Sequence, residues 1–287
     1  MKKILVAATC LAAAMPFAAT AATIFGVDEN NNLVTFNSST PGSTSSVVAI
    51  TGAESSLEAL DFRPLNGVLY GLSAGRFVYT IDTMTGAATA VSGQLAITGS
   101  VFGFDFNPTI DRVRIVSNTN GNFVFNPNDG SLTGAPTTSP LAYAAGDPNA
   151  GANPGVSAAA YTTSAFGEPA ASTQLYSIDT DLDVLTTQNN NGGVLMTVGE
   201  LGMDLGSRTS FDIVGNEAFV FNGTSLFSAD LNTGALTMLG NTDRSLFGIA
   251  AVSAIPEPAT WAMMIIGFGA IGFMMRRRQQ TIRVAYA

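Results

Sequence analysis

Histidine is missing from this chain, and cysteine occurs once, as Cys10. Without an imidazole there is no Ser-His-Asp or Cys-His catalysis, no His-ligated zinc and no phosphohistidine chemistry. Basic residues are also scarce, 12 against 21 acidic ones. Half of them sit at the two ends: the only lysines are Lys2 and Lys3, and Arg276, Arg277, Arg278 and Arg283 lie close to the C-terminus. The 287 residues therefore divide into an acidic middle and two basic, apolar extremities.

The N-terminal extremity has the order of a cleavable signal peptide: Lys2 and Lys3, an apolar run from Ile4 to Ala14, and small residues from Ala18 to Ala22. Cleavage is expected after Ala21 or Ala22. Cys10 leaves with this segment, and Ala7-Ala8-Thr9 ahead of it lack the leucine-like residue of a lipoprotein signal. At the other end, Pro256, Glu257 and Pro258 precede Ala259 to Met275, 17 residues without a charge. As a helix that stretch is roughly 26 Å long, barely enough for a bilayer core. The prolines hold the entering chain extended, and the three arginines keep the far end on the cytoplasmic side. A plain tail anchor or a buried core helix fits the same features.

The residues themselves point further. Pro256-Glu257-Pro258, Trp261-Ala262-Met263-Met264-Ile265, Gly267-Phe268-Gly269, Gly272 and Arg276-Arg277-Arg278, in that order, closely resemble the PEP-CTERM sorting signal of Gram-negative bacteria. The resemblance implies export by the general secretion machinery and an inner-membrane intermediate. It also implies processing near the Pro-Glu-Pro by exosortase and delivery to the cell surface or extracellular matrix, often alongside exopolysaccharide. The cytoplasmic tail, Gln279 to Ala287, has no assigned role.

Between the two signals, Thr23 to Ile255 carries six basic and twenty acidic residues, a net charge of −14, and neither lysine, histidine nor cysteine. Such a surface repels nucleic acid and anionic lipid, so neither is expected as a partner. No thiol nucleophile or thiolate metal site remains.

This body is repetitive. Leu60-Asp61-Phe62-Arg63-Pro64 recurs as Phe104-Asp105-Phe106-Asn107-Pro108, and at the same offset Ser73 matches Ser117, Gly86 matches Gly130 and Thr89 matches Thr133. Thr85-Gly86-Ala87-Ala88-Thr89 is echoed by Thr233-Gly234-Ala235-Leu236-Thr237, and Ser210-Phe211-Asp212 repeats the Asp-Phe opening. A more divergent copy holds Leu175-Tyr176-Ser177-Ile178-Asp179. Each unit reads as four short strands divided by turns, the signature of a β-propeller blade. Five opening strands are expected, near Leu57–Phe62, Val101–Phe106, Ser157–Thr162, Ser210–Ile213 and Leu246–Val252. The last has no blade after it, while Thr23–Asp28 looks like a second strand without an opening one. Closure of the ring by the C-terminal strand in the N-terminal blade is the simplest solution, and it removes exposed sheet edges. A two-sheet sandwich is the alternative, but it leaves the repeat unexplained. The blade motifs also resemble an uncharacterised bacterial propeller-like family that commonly travels with PEP-CTERM tails, and that names no activity.

Candidate chemistry is restricted to carboxylates. Asp61, Asp105 and Asp212 share one position in their repeats and so fall in a ring about the propeller axis. There they serve either equivalent strand-end hydrogen bonds or the paired-carboxylate chemistry of a glycosidase. Asp179, Asp181 and Asp183 alternate as calcium ligands do, yet the glycine and distal glutamate of an EF-hand loop are absent, and a hairpin turn explains them equally well. Thr137 to Val156, rich in Ala, Gly, Pro and Asn, reads as a long surface loop. The overall expectation is a non-enzymatic exported propeller without cofactor. The alternatives are a matrix-active glycosidase and a permanently anchored, periplasm-facing protein.

Overall fold

The computed structural model describes residues 21–134, 137–164, 166–167, 169–215, 217–252, 267–269 and 272. Its strands follow the repeat. The first three are β1 (Thr23–Asp28), β2 (Asn32–Asn37) and β3 (Thr44–Ala49). Then come β4 (Leu57–Phe62), β5 (Leu69–Ser73), β6 (Val78–Ile81) and β7 (Ala88–Ala90), followed by β8 (Phe102–Asn107), β9 (Arg112–Ser117), β10 (Asn122–Phe125) and β11 (Leu132–Thr133). The fourth unit holds β12 (Ala142–Tyr143), β13 (Val156–Tyr161), β14 (Leu175–Asp179), β15 (Val184–Gln188) and β16 (Val194–Glu200). The last strands are β17 (Thr209–Val214), β18 (Glu217–Asn222), β19 (Ser225–Ala229), β20 (Leu236–Asn241) and β21 (Leu246–Val252).

These form five sheets, in the orders β21-β1-β2-β3, β4-β5-β6-β7, β8-β9-β10-β11, β13-β14-β15-β16-β12 and β17-β18-β19-β20. Consecutive strands pair antiparallel. The ring closes as the sequence implies: β21 pairs with β1 from Thr23↔Val252 to Asp28↔Leu246, so the last strand is the innermost strand of the first blade. The innermost strands contact one another in the cycle β4, β8, β13, β17, β21 and back to β4. The molecule is an all-β propeller of five blades.

Burial explains which strand lies where. Strands β8 and β13 are buried along their whole length, because an innermost strand is flanked by neighbouring blades on both faces. The outermost strands β3 and β20 are mostly exposed. The hydrophobic cores lie between blades: Leu72 and Val78 join Phe106, Ile115 and Phe125 in one cluster, and Ile178 and Leu185 join Ile213 and Val220 in another. Each such side chain, fully buried, contributes roughly 1.5–3 kcal/mol. The Thr-Gly turns behave as expected, with Gly86 and Gly234 at φ of 74° and 83°. Both also press against carbonyl oxygens of an outer strand: a Cβ on Gly86 would lie 2.1 Å from that of Ala49, and one on Gly234 2.6 Å from that of Gly199.

Near the axis the blades converge, and the residue two before Asp61, Asp105, Ala160, Asp212 and Ala250 is small: Ala59, Gly103, Ala158, Ser210 and Gly248. A Cβ added to Gly103 would meet the Ala159 nitrogen at 2.6 Å and the Ala158 carbonyl carbon at 2.9 Å, both backbone atoms of the next blade. Gly103→Val should therefore cost roughly 3 kcal/mol in a denaturant titration. A loss below 1 kcal/mol would mean that the inner strands have room to separate.

One expectation is corrected. Thr137 to Val156 is not simply a surface loop: Ala142–Tyr143 adds a fifth strand, parallel to β16, to its blade. Composition hid this, because only Leu141 and Tyr143 carry the apolar alternation. Both are buried in a cluster with Val156, Leu175 and Leu195, and the Tyr143 hydroxyl donates to Asp179 Oδ2 at 2.7 Å.

Among the described residues no helix is long and apolar enough to cross a membrane. Gly267, Phe268, Gly269 and Gly272 are helical. Most of the segment expected to span, Ala259 to Met275, lies outside the described residues, as do residues 1–20 of the expected signal peptide.

Candidate functional site

The innermost strand of a blade has one edge with no strand to pair with, and its amides face the axis. Buried amides of this kind need acceptors. The residue that follows the repeat's aspartate position in each inner strand is Phe62, Phe106, Tyr161, Ile213 or Ala251. Four of these amides donate to three carboxylates. Asp61 accepts at 2.6 Å from Phe106 of the next blade, and the nearby Phe62 amide also lowers its pKa. Asp105 accepts from Tyr161 of the next blade at 3.0 Å. Asp212 accepts from Ile213 at 2.6 Å and from Ala251 of the next blade. At the aspartate position the two other inner strands carry Ala160 and Ala250. The amides left without an aspartate on the preceding blade are Ile213 and Phe62: the first is taken by Asp212 immediately before it, and the second lies beside Asp61.

The structure thus brings together the three aspartates that the repeat set at equivalent positions. They are 2% to 7% exposed, and each offers a carboxylate oxygen such that the three atoms lie within 4.8 Å of one another. Among the described residues this is the one such trio of potential metal ligands. Four amide hydrogen bonds already end on it, at Asp61 Oδ2, Asp105 Oδ1 and both oxygens of Asp212. Burial, then the charge of Asp212, pushes Asp61 well above the usual carboxylate range. Burial, then Asp61 and Asp212, does the same to Asp105. Burial raises Asp212 to about 7, its two amide bonds opposing the shift.

Because Asp212 serves two amides and Asp105 one, their alanine variants should differ. At pH 5, where the trio carries little charge, Asp212→Ala should cost roughly 2–5 kcal/mol and Asp105→Ala roughly 1–3 kcal/mol, one orphaned donor apiece being worth about 1–3 kcal/mol. Equal losses in thermal or urea unfolding would contradict the shared-acceptor arrangement.

Above this layer the axis opens into a cavity of about 560 Å³, lined by the first halves of inner strands, among them Leu57–Leu60, Phe102–Phe104 and Phe247–Ile249. The lining stops at Leu60, Phe104 and Phe211, one residue short of Asp61, Asp105 and Asp212, so the buried carboxylates lie outside the cavity. Phe102 and Phe247 form apolar walls. Arg208 lies over the Phe247 ring, its Cζ 4.5 Å from the centroid, and makes no ion pair among the described residues. Glu58 is half-buried and raised by desolvation, with Arg208 pulling it back, and the two stay beyond ion-pair distance. This mouth was not singled out by sequence reasoning. The available signal was the residue three before each aspartate position: Glu58, Phe102, Ser157, Thr209 and Phe247 in register.

Asp179, Asp181 and Asp183 do not converge as ligands. Asp179 is buried at a turn, its Oδ1 accepting the amides of Gly155, Asp181 and Leu182 and its Oδ2 the Tyr143 hydroxyl. Asp183 sits at φ 51° and accepts the Leu205 amide at 2.9 Å. Of the sorting residues, Gly267, Phe268 and Gly269 are helical, whereas Pro256, Glu257, Pro258, Trp261, Arg276, Arg277 and Arg278 lie outside the described residues. At the other end Ala22 is buried within the first blade: its amide donates to Ser38 Oγ and its carbonyl accepts the Ser38 amide, both at 2.9 Å.

Comparison with known proteins agrees with this architecture. A chain in the crystal structure of a nidogen/laminin complex superposes with a TM-score of 0.51 at 10% identity, over 82% of this chain and 100% of that one, a likeness of fold alone. No curated protein matches in sequence. Residues 254–278 match the PEP-CTERM protein-sorting motif, which marks the chain as an exported protein processed by exosortase. Residues 32–250, well over half of the chain and nearly all of the propeller, match the model of a domain of unknown function, DUF4394, and the protein belongs to that family.

Proposed function

We propose that the protein is a non-enzymatic propeller that exosortase delivers to the cell surface or extracellular matrix, where it serves a structural or adhesive role among exopolysaccharide. The axial aspartates carry this reading. The carboxylates placed for paired acid and base chemistry are spent on the amides of the ring. One oxygen of each lies within 4.8 Å of the others, close to the roughly 5–5.5 Å carboxyl separation of a retaining glycosidase, but such an enzyme sets its pair across an open cleft. Here the three carboxylates are buried and absent from the cavity lining, with no access for a sugar ring.

Signal peptidase cleavage after Ala21 is favoured over cleavage after Ala22, because it leaves Ala22 to make its two bonds with Ser38. A glycan panel with product detection separates the two functional readings. Binding without turnover supports the structural role, and release of reducing ends by the purified protein would sink it.

A further inference from the structure

The mouth holds two opposite charges that the fold leaves unpaired. Arg208 is exposed, with its Cζ 4.5 Å from the Phe247 ring centroid and no carboxylate of the described residues on its guanidinium, a group suited to a carboxylate. Glu58, half-buried in the same cavity, takes no hydrogen bond or ion pair from any described residue. Between them are the phenyl walls of Phe102 and Phe247, and at the lining lies the Ser210 hydroxyl, buried without a partner. A cavity near 560 Å³ falls within the roughly 300–1,000 Å³ of small-molecule sites.

These features restrict the ligand. A purely apolar molecule would strip water from Glu58 and Arg208 and return nothing. An anion alone meets Glu58 and Glu29 in the lining and a body of charge −14 around it. A cation alone leaves the guanidinium unmatched.

We infer that the mouth is a binding site for a small zwitterion with a short apolar body, such as a free dipeptide, its ammonium on Glu58 and its carboxylate on Arg208. This goes beyond the matrix role and does not depend on it. Strand β21 passes the mouth at Phe247–Ile249 and ends at Val252, away from the cavity and four residues before Pro256.

The test is calorimetric titration of the purified protein with the dipeptide Ala-Leu, its N-acetyl form, its C-terminal amide and the neutral disaccharide maltose. Ala-Leu is expected to bind, and each blocked form to bind at least tenfold more weakly. In Glu58→Gln the preference over the N-acetyl form should disappear while the preference over the amide remains. In Arg208→Gln the pattern should reverse. Thermal unfolding of both variants at the wild-type temperature shows that they are folded. Maltose binding that matches or exceeds the dipeptide's overturns the zwitterion assignment, as does indifference to both variants. Absence of binding by every probe overturns the site itself. None of these results bears on turnover in the glycan panel, so the matrix reading stands or falls separately.

Discussion

Deleting Leu246–Val252 from the full chain should abolish the folded body. Strand β21 is the innermost strand of the first blade, pairs with β1 along its whole length, and packs against β4 on one side and β17 on the other. Its loss opens the ring at two inter-blade contacts and exposes β1 as a long apolar edge, the arrangement that invites aggregation. It also strips Ile249, Ala250 and Ala251 from their clusters and removes one of the two amides that Asp212 accepts. The summed loss should reach the roughly 5–15 kcal/mol of a whole domain's stability. Near-ultraviolet circular dichroism and thermal scanning should show no cooperative transition. A variant that still melts cooperatively within a few degrees of the parent would mean that closure is dispensable.

The propeller should also be more stable at pH 5 than at pH 8, and Asp105→Asn should flatten that slope. In the fold Asp61 and Asp105 are raised well above 3.8, and Asp212 to about 7. A carboxyl group held above its unfolded value contributes stability that is complete below about pH 4 and is lost as pH rises through the folded value. For Asp212 alone, a shift of about three units corresponds to something on the order of 4 kcal/mol lost on the way to alkaline pH. Asp28 acts in the opposite sense. Burial pushes it up, but the Asn32 side chain, the Asn32 and Asn30 amides and Arg244 together hold it below 3.8. Its contribution is present above about pH 4 and is lost only below that. Maximum stability is thus expected near pH 5. Asp105→Asn keeps an oxygen for the single Tyr161 amide and removes one charge of three, so it should gain stability at pH 8 and change little at pH 5. Urea unfolding at both values measures this. A wild-type protein equally stable at the two, or destabilised at pH 5, would contradict buried, proton-sharing carboxylates.

How much of this was legible in the chain depends on how local each signal is. The five inner strands and the closing strand were, because the Asp-Phe and Thr-Gly motifs recur at constant offsets and the termini supply complementary parts of one blade. The axial meeting of Asp61, Asp105 and Asp212 followed from their equivalence. What they do there was one of two readings, and their division of labour was hidden. It depends on Ala160 and Ala250, which offer no carboxylate to the next blade, so that the Ile213 amide turns to Asp212. The strand at Ala142–Tyr143 was concealed by a small, turn-rich composition around two apolar residues. The convergence of Glu58 and Arg208 on one cavity was out of reach for another reason. The two residues lie on different blades, far apart in sequence, and face the same space only once the ring has closed.

The most direct test of the account as a whole is the intact mass and C-terminal peptide map of the protein recovered from the cell surface or medium, compared between cells with and without exosortase. The account predicts a species that begins at Ala22 and ends near Pro256, just beyond the closing strand, only when the enzyme is present. An uncut chain that retains Trp261 and Arg276 in both would contradict it, and would make this a permanently anchored propeller.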